Sequence, residues 1–170
     1  MFVADTSVLS SFAAARGLAL ILAALQTETI FIPLAVQQEI EAGLSHGVVH
    51  LQAVVDLTTK GVLRVLEVEP ADQECLATLP TGFGIGERAA IALCQRYRAT
   101  LLCNDRLVQC YCAQHDLPCL DLARLLRLLW LKELATQAKV KTMIVRMEKV
   151  EQLIFTETDR VFAPPRNITL

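Results

Sequence analysis

Four carboxylates stand at intervals that could bring them to one place: Asp5, Glu39, Glu87 and Asp105. Asp5 and Asp105 each follow a short apolar run, Phe2-Val3-Ala4 and Thr100-Leu101-Leu102-Cys103, and each precedes a helical pattern. In an open α/β sheet such strand-to-helix junctions lie at the carboxyl edge, where ligands bind. Glu39 falls on the helix after the next strand, and Glu87 opens a helix behind the glycine-rich stretch from Pro80 to Gly86. Taken singly, each acid reads as a helix cap or a solvated helix residue. Taken together, four carboxylates cannot all stay ionised at one site without a cation to neutralise them. An all-oxygen donor set favours Mg²⁺ or Mn²⁺.

The elements that must position these acids follow from apolar periodicity and from the breakers. Phe2 to Ala4 reads as a strand, and Thr6 or Ser7 caps a helix running toward Ala15. Gly17 starts a second helix to Leu25. Thr29 to Ile32 is a buried strand stopped by Pro33, which suits the first turn of a helix that ends at Gly43. A helical stretch from Val48 to Asp56, a strand within Val62 to Val68 and a short helix opened by Pro70 come next. The Pro80 to Gly86 loop is expected to be the most flexible part of the chain. Beyond Glu87, a helix leads to the strand at Thr100, a further helix to His115, a strand at Pro118 to Leu120, and helices over Leu122 to Ala135 and Val140 to Phe155. Strands alternating with helices imply an α/β fold, a parallel sheet covered on both faces. Only the tail after Thr156, with Pro164-Pro165, is expected to pack loosely.

With 170 residues the chain suits one compact domain. The apolar fraction of 54% and mean hydropathy of +0.43 are high, yet the longest helical apolar run, Gly17 to Leu25, is far short of the ~20 residues of a membrane span. No basic segment precedes an apolar stretch at the N-terminus, so a cytoplasmic location is expected and no membrane association. The six cysteines then read as reduced, small buried hydrophobes, and the spacing of Cys110, Cys112, His115 and Cys119 fits no common zinc pattern. Charge is divided unevenly. Residues 1–87 carry three Lys/Arg against ten Asp/Glu, and residues 88–170 carry thirteen against eight, leaving −7 and +5. An acidic half could hold cations and a basic half a polyanion; the alternative is that the charges only solvate helix faces.

Val3-Ala4-Asp5-Thr6-Ser7-Val8-Leu9, Gln38-Glu39-Ile40, Gly86-Glu87-Arg88-Ala89-Ala90-Ile91-Ala92-Leu93 and Leu101-Leu102-Cys103-Asn104-Asp105-Arg106 resemble, in order and spacing, the four acidic motifs of PIN-domain nucleases. That family includes the VapC toxins of bacterial toxin–antitoxin pairs. The resemblance covers residues 1–125, and Leu120 to Val150 is similar to the C-terminal helices of a prokaryotic PIN subgroup. It implies a three-layer α/β/α fold with an acidic pocket at the strand carboxyl ends: a nuclease domain over 1–125, with helices and tail of 126–170 packed on it. It also implies a metal-dependent ribonuclease in which Asp5, Glu39, Glu87 and Asp105 bind Mg²⁺ or Mn²⁺ and do the catalytic work. Thr6, Ser7, Asn104 and Asp121 would support them, Ser7 or Thr6 by hydrogen-bonding a carboxylate or bound water, and Asp121 as an extra acid. RNA is the implied substrate, an antitoxin protein the implied partner and a homodimer the implied assembly. The chain departs from the pattern twice: many toxins have Asp where Glu87 stands, and Thr, Ser or Asp is more usual than Asn104.

Arg88 and Arg106 adjoin the acids and could contact phosphates, although surface arginines are commoner than ligand-binding ones. On the last long helix Lys139, Arg146 and Lys149 share one face at 100° per residue, with Ile144, Val145 and Leu153 turned inward. That face is expected to bind an RNA backbone or an acidic partner. Two rival functions remain. One is an inactive PIN-fold module that binds nucleic acid or protein, and a metal-dependent cleavage assay separates it. The other is phosphotransfer on Asp5, which usually needs a second Asp two residues on, where this chain has Ser7. Asp72 and Asp116 read as surface caps.

Overall fold

The computed structural model describes residues 1–164. The chain forms β1 (Phe2–Ala4), α1 (Thr6–Ala14), α2 (Leu18–Leu25), β2 (Ile30–Pro33), α3 (Leu34–Ser45), α4 (Gln52–Thr59), β3 (Leu63–Leu66), α5 (Gln73–Thr78), α6 (Ile85–Tyr97), β4 (Thr100–Leu102), α7 (Arg106–Gln114), β5 (Cys119–Leu120), α8 (Leu122–Leu131), α9 (Gln137–Glu151) and α10 (Thr158–Phe162). The five strands pair in the order β3-β2-β1-β4-β5, all parallel, with Val3 opposite Phe31 and Leu101. Strands this short and apolar are stable only when both faces are covered.

Alternate strand residues point to opposite faces. Ala4, Ile30, Ile32, Leu63 and Leu102 join the cluster packed by α1, α2, α8 and α9, whereas Val3, Leu101 and Cys103 join the one packed by α6 and α7. The result is a three-layer α/β/α body with a central parallel sheet. From β1 the chain moves outward to β2 and β3, then returns to the other side of β1 for β4 and β5. The strand order therefore reverses between β1 and β4, and the crevice at their carboxyl ends is the natural ligand site of such a sheet. Among the described residues no single helix is long and apolar enough to cross a membrane.

Several element ends differ from the sequence expectation, each for a tertiary reason. Helix α3 runs through Gly43 to Ser45, because a side chain at Gly43 would meet Leu51 Cδ1 at 2.6 Å and the glycine serves close packing, not a stop. Helix α8 stops at Leu131, where Glu133 takes φ +57° and Leu134 N donates back to Leu129 O. Helix α9 starts at Gln137, capped by Thr136, and ends at Glu151, where Gln152 turns to φ +53°. The segment from 157 to 164 is not loose. Val161 is fully buried, Trp130 Nε1 donates to its carbonyl at 2.7 Å, and Arg127 binds the carbonyls of Arg160, Ala163 and Pro164. The rest of the expected loose tail, residues 165–170, lies outside the described residues. The Pro80 to Gly86 loop is largely exposed and is pinned at Phe83, which is buried edge-on against Tyr111 with ring centres 5.6 Å apart. Asp72 does cap, but from a buried position and not at the surface: it accepts from Glu69 N at 2.8 Å at the start of the turn opened by Pro70, and pairs with Arg96 at 3.3 Å. Val145, expected to pack inward, is 62% exposed.

Candidate metal centre

Asp5, and not Thr6 or Ser7 as the sequence suggested, is the N-cap of α1, because its own side chain accepts from Ser7 N, so its carboxylate is fixed where strand and helix meet. It is only 5% exposed. Its Oδ2 accepts from Ser7 N at 3.2 Å and Ser7 Oγ at 2.8 Å, and the Cys103 thiol donates to it at 3.7 Å. Ser7 Oγ in turn accepts from Asn104 N at 3.1 Å, which ties the ends of β1 and β4 together. Glu39 projects from α3 and is gripped at both oxygens: Thr6 Oγ1 donates to Oε2 at 2.5 Å and Gly86 N to Oε1 at 3.1 Å. Glu87 stands in the first turn of α6, where Gly84 N donates to its Oε2 at 2.8 Å. Asp105 caps α7, its Oδ1 accepting from Leu107 N at 2.8 Å and Val108 N at 3.0 Å.

Ligand atoms of Asp5, Glu87 and Cys103 lie within 4.8 Å of one another. Glu39 lines the same ≈ 550 Å³ cleft, with Thr6, Ser7 and Asn104. Asp105 stands outside the tight group, one oxygen committed to its helix cap, yet it is near enough to act on Glu87 through space. The Glu87 carboxyl is pushed above its ordinary range chiefly by burial, with repulsion from Asp5, Asp105 and Glu39 adding to this and the Gly84 N–H opposing it. All four acids therefore share one electrostatic site. Hard carboxylate oxygens at a junction where repulsion already resists ionisation suit a divalent cation.

Other expected site residues are placed differently. Asn104 Oδ1 accepts from Leu122 N at 3.3 Å, so this side chain bridges β4 to α8 at the rim. Asp121 does not line the acidic cleft: it caps α8 through Arg124 N at 2.7 Å and pairs with Arg160 at 2.8 Å. Arg88 turns away, its Nη2 donating to Leu76 O at 2.6 Å, while Arg106 is exposed beside Asn104. Lys139 and Lys149 are exposed and Arg146 half-buried on α9. At 1.5 Å per residue Lys139 lies roughly 18 Å along the axis from Glu151, which does line the cleft.

Cys103 and Glu151 are the residues that sequence reasoning missed. Cys103 read as a small hydrophobe, and only its place two residues before Asp105 hinted otherwise. Glu151 accepts from Ser10 Oγ and Ser11 Oγ, each at 2.6 Å, and so docks the end of α9 on α1 beside the cleft. No local signal marks it.

A family model described as a PIN domain matches residues 1–158. The chain belongs to the PIN-domain family. No curated protein matches it. The matched span takes in α8 and α9 as well as the sheet, so the helices that bring Glu151 to the cleft lie within the matched region. This PIN domain thus joins a nuclease-type fold to an acidic cluster compatible with a metal.

A raised carboxyl holds its proton more tightly in the folded protein than in the unfolded chain. The associated stability is complete below the ordinary glutamate range and is lost as pH rises through the raised value. The metal-free protein is therefore expected to melt progressively lower across that window, and Glu87→Gln to flatten that part of the profile. Melting curves taken against pH check this; an unchanged profile in the variant removes Glu87 as the source.

Proposed function

We propose that this PIN domain is a divalent-metal-dependent endoribonuclease, with Asp5, Glu39, Glu87 and Asp105 as its catalytic, metal-binding acids. The observation that supports this best is the convergence of Asp5, Glu39 and Glu87 on one cleft at the strand-order reversal, with Asp105 close enough to act on Glu87. A bound Mg²⁺ or Mn²⁺ would supply an activated water and neutralise charge on the phosphorus oxygens. The chain's own residues orient. Ser7 holds Oδ2 of Asp5, so its other oxygen is left for the ion, and Thr6 with Gly86 N fixes both oxygens of Glu39. The backbone N–H of Gly84 orients Glu87 and favours its charged form.

On the same reading residues 1–125 supply every acid, and the helices after 125 pack on that body. The toxin role, an antitoxin protein as partner, a homodimer and a cytoplasmic site of action rest on the family resemblance alone. Millimolar Mn²⁺ is expected to raise the melting temperature. Saturation at 100 times the dissociation constant stabilises by about 2.7 kcal/mol, which is roughly 2–4 °C per kcal/mol for a chain of this size. A melting curve indifferent to Mn²⁺ and Mg²⁺ defeats the metal reading.

A further inference from the structure

A second cleft of ≈ 700 Å³ opens beside the acidic one, between α7, the start of α8 and the segment from Leu153 to Arg160. Asn104 and Leu153 line both, so the two are continuous. Its wall is firmly built. Arg160 binds Asp121 at 2.8 Å and also Glu157, and Glu148 Oε1 accepts from Phe155 N at 3.0 Å. Those contacts set Arg160 against both acids of the cleft, Asp121 and Glu157, and leave one negative charge over. Two further arginines bring the lining to a net charge of +1: Arg106, exposed and in no ion pair among the described residues, and Arg124, whose side chain is 58% exposed with Nη1 on Cys119 O and Nε in a long ion pair with Asp121 at 3.9 Å. Ile154, apolar and 84% exposed, stands on the same wall.

A cationic cleft leading out of an acidic one, with an exposed apolar side chain on its wall, has the chemistry of a strand path. Arginines take phosphates, and an apolar surface takes a base that is not paired. Resting on the nuclease reading above, we propose that this groove carries the unpaired RNA strand flanking the cleaved bond. Arg106 and Arg124 hold its phosphates and Ile154 supports a base. This places backbone contacts beside the acids, not on the flank of α9.

Anisotropy of a fluorescein-labelled unpaired RNA oligonucleotide, measured in EDTA between about 50 and 200 mM salt, tests the groove. Arg106→Gln/Arg124→Gln should weaken binding about tenfold at low salt and reduce the log–log salt slope by about 1.4, that is about 0.7 for each of two phosphates. Ile154→Ser should weaken binding with the slope unchanged. Lys139→Gln/Arg146→Gln/Lys149→Gln should change the slope little. The groove is overturned if the arginine pair leaves affinity and slope intact, if the α9 triple variant carries the loss instead, or if the wild-type chain binds an acidic peptide but no RNA. Stabilisation by Mn²⁺ is read in parallel. It should persist in the arginine variant, and its absence from the wild type would instead sink the metal reading while the binding result still decides the groove.

Discussion

Replacing Asp5 by asparagine is expected to abolish RNA cleavage while leaving the metal-free protein as stable as before, or more so. Asparagine keeps the shape and an acceptor oxygen for Ser7 N and Ser7 Oγ, and it is as good an N-cap as aspartate. What disappears is a buried negative charge that repels Glu87. The Glu87 carboxyl should therefore titrate closer to its ordinary range, and the apo melting temperature should hold or rise. Removing a residue that merely orients a metal ligand typically costs 10–100-fold in affinity or activity, so loss of a ligand charge should cost at least about 100-fold. Asp105→Asn should behave alike, since asparagine can keep the cap to Leu107 N and Val108 N. Cleavage of an RNA oligonucleotide in Mn²⁺ and paired melting curves measure both effects. Wild-type turnover in the two variants would end the assignment of these acids.

Gly86→Ala is expected to separate activity from folding in a different way. An added Cβ would lie 2.6 Å from Glu39 Oε1, 2.9 Å from Oε2 and 3.0 Å from Cδ. Something must move, and the cheapest group to move is the end of an exposed, flexible glutamate. Stability should change by less than about 1 kcal/mol, because alanine favours a helix over glycine by up to about that amount and offsets the lost contact. The site should suffer more. Glu39 would lose the Gly86 N–H and leave its position, lowering Mn²⁺ affinity by about 10–100-fold, as removal of an orienting partner does. Calorimetric titration of Mn²⁺ into both proteins measures this. In a Glu39→Gln background the alanine should add almost nothing, because the two changes act on one interaction. Additive losses would show that Gly86 matters for another reason.

The junctions at Asp5 and Asp105 were legible because each depends on a few adjacent residues: an apolar strand, a capping acid, then a helical period. Gly43 shows where local reading fails. A glycine late in a helical pattern looks like a stop, but here it admits Leu51. Asp72 looked like a surface cap because nothing in its neighbourhood announces Arg96, twenty-four positions on. Val145 and the stretch from 157 to 164 were misjudged because helical period alone does not say which neighbour will cover a face. In α9 the covered face holds Val140, Met143, Ile144 and Met147, set by contact with α1 and α8.

By itself the sequence determined the alternation of strand and helix, and with it a parallel sheet whose carboxyl edge carries Asp5 and Asp105, since these follow from period and capping chemistry. It also supplied the acids as residue types. The tertiary structure alone decided that Thr6 and Gly86 N would clamp Glu39, that the Cys103 thiol would lie against Asp5, and that Glu151 would reach the cleft from α9. It also decided that Asp121 would serve Arg160 and leave the acidic cleft to the others. Each of these contacts joins residues from 33 to 141 positions apart, except the adjacent-strand geometry that sets them. Their energies depend on how helices cross the sheet, and no local window of sequence contains that information.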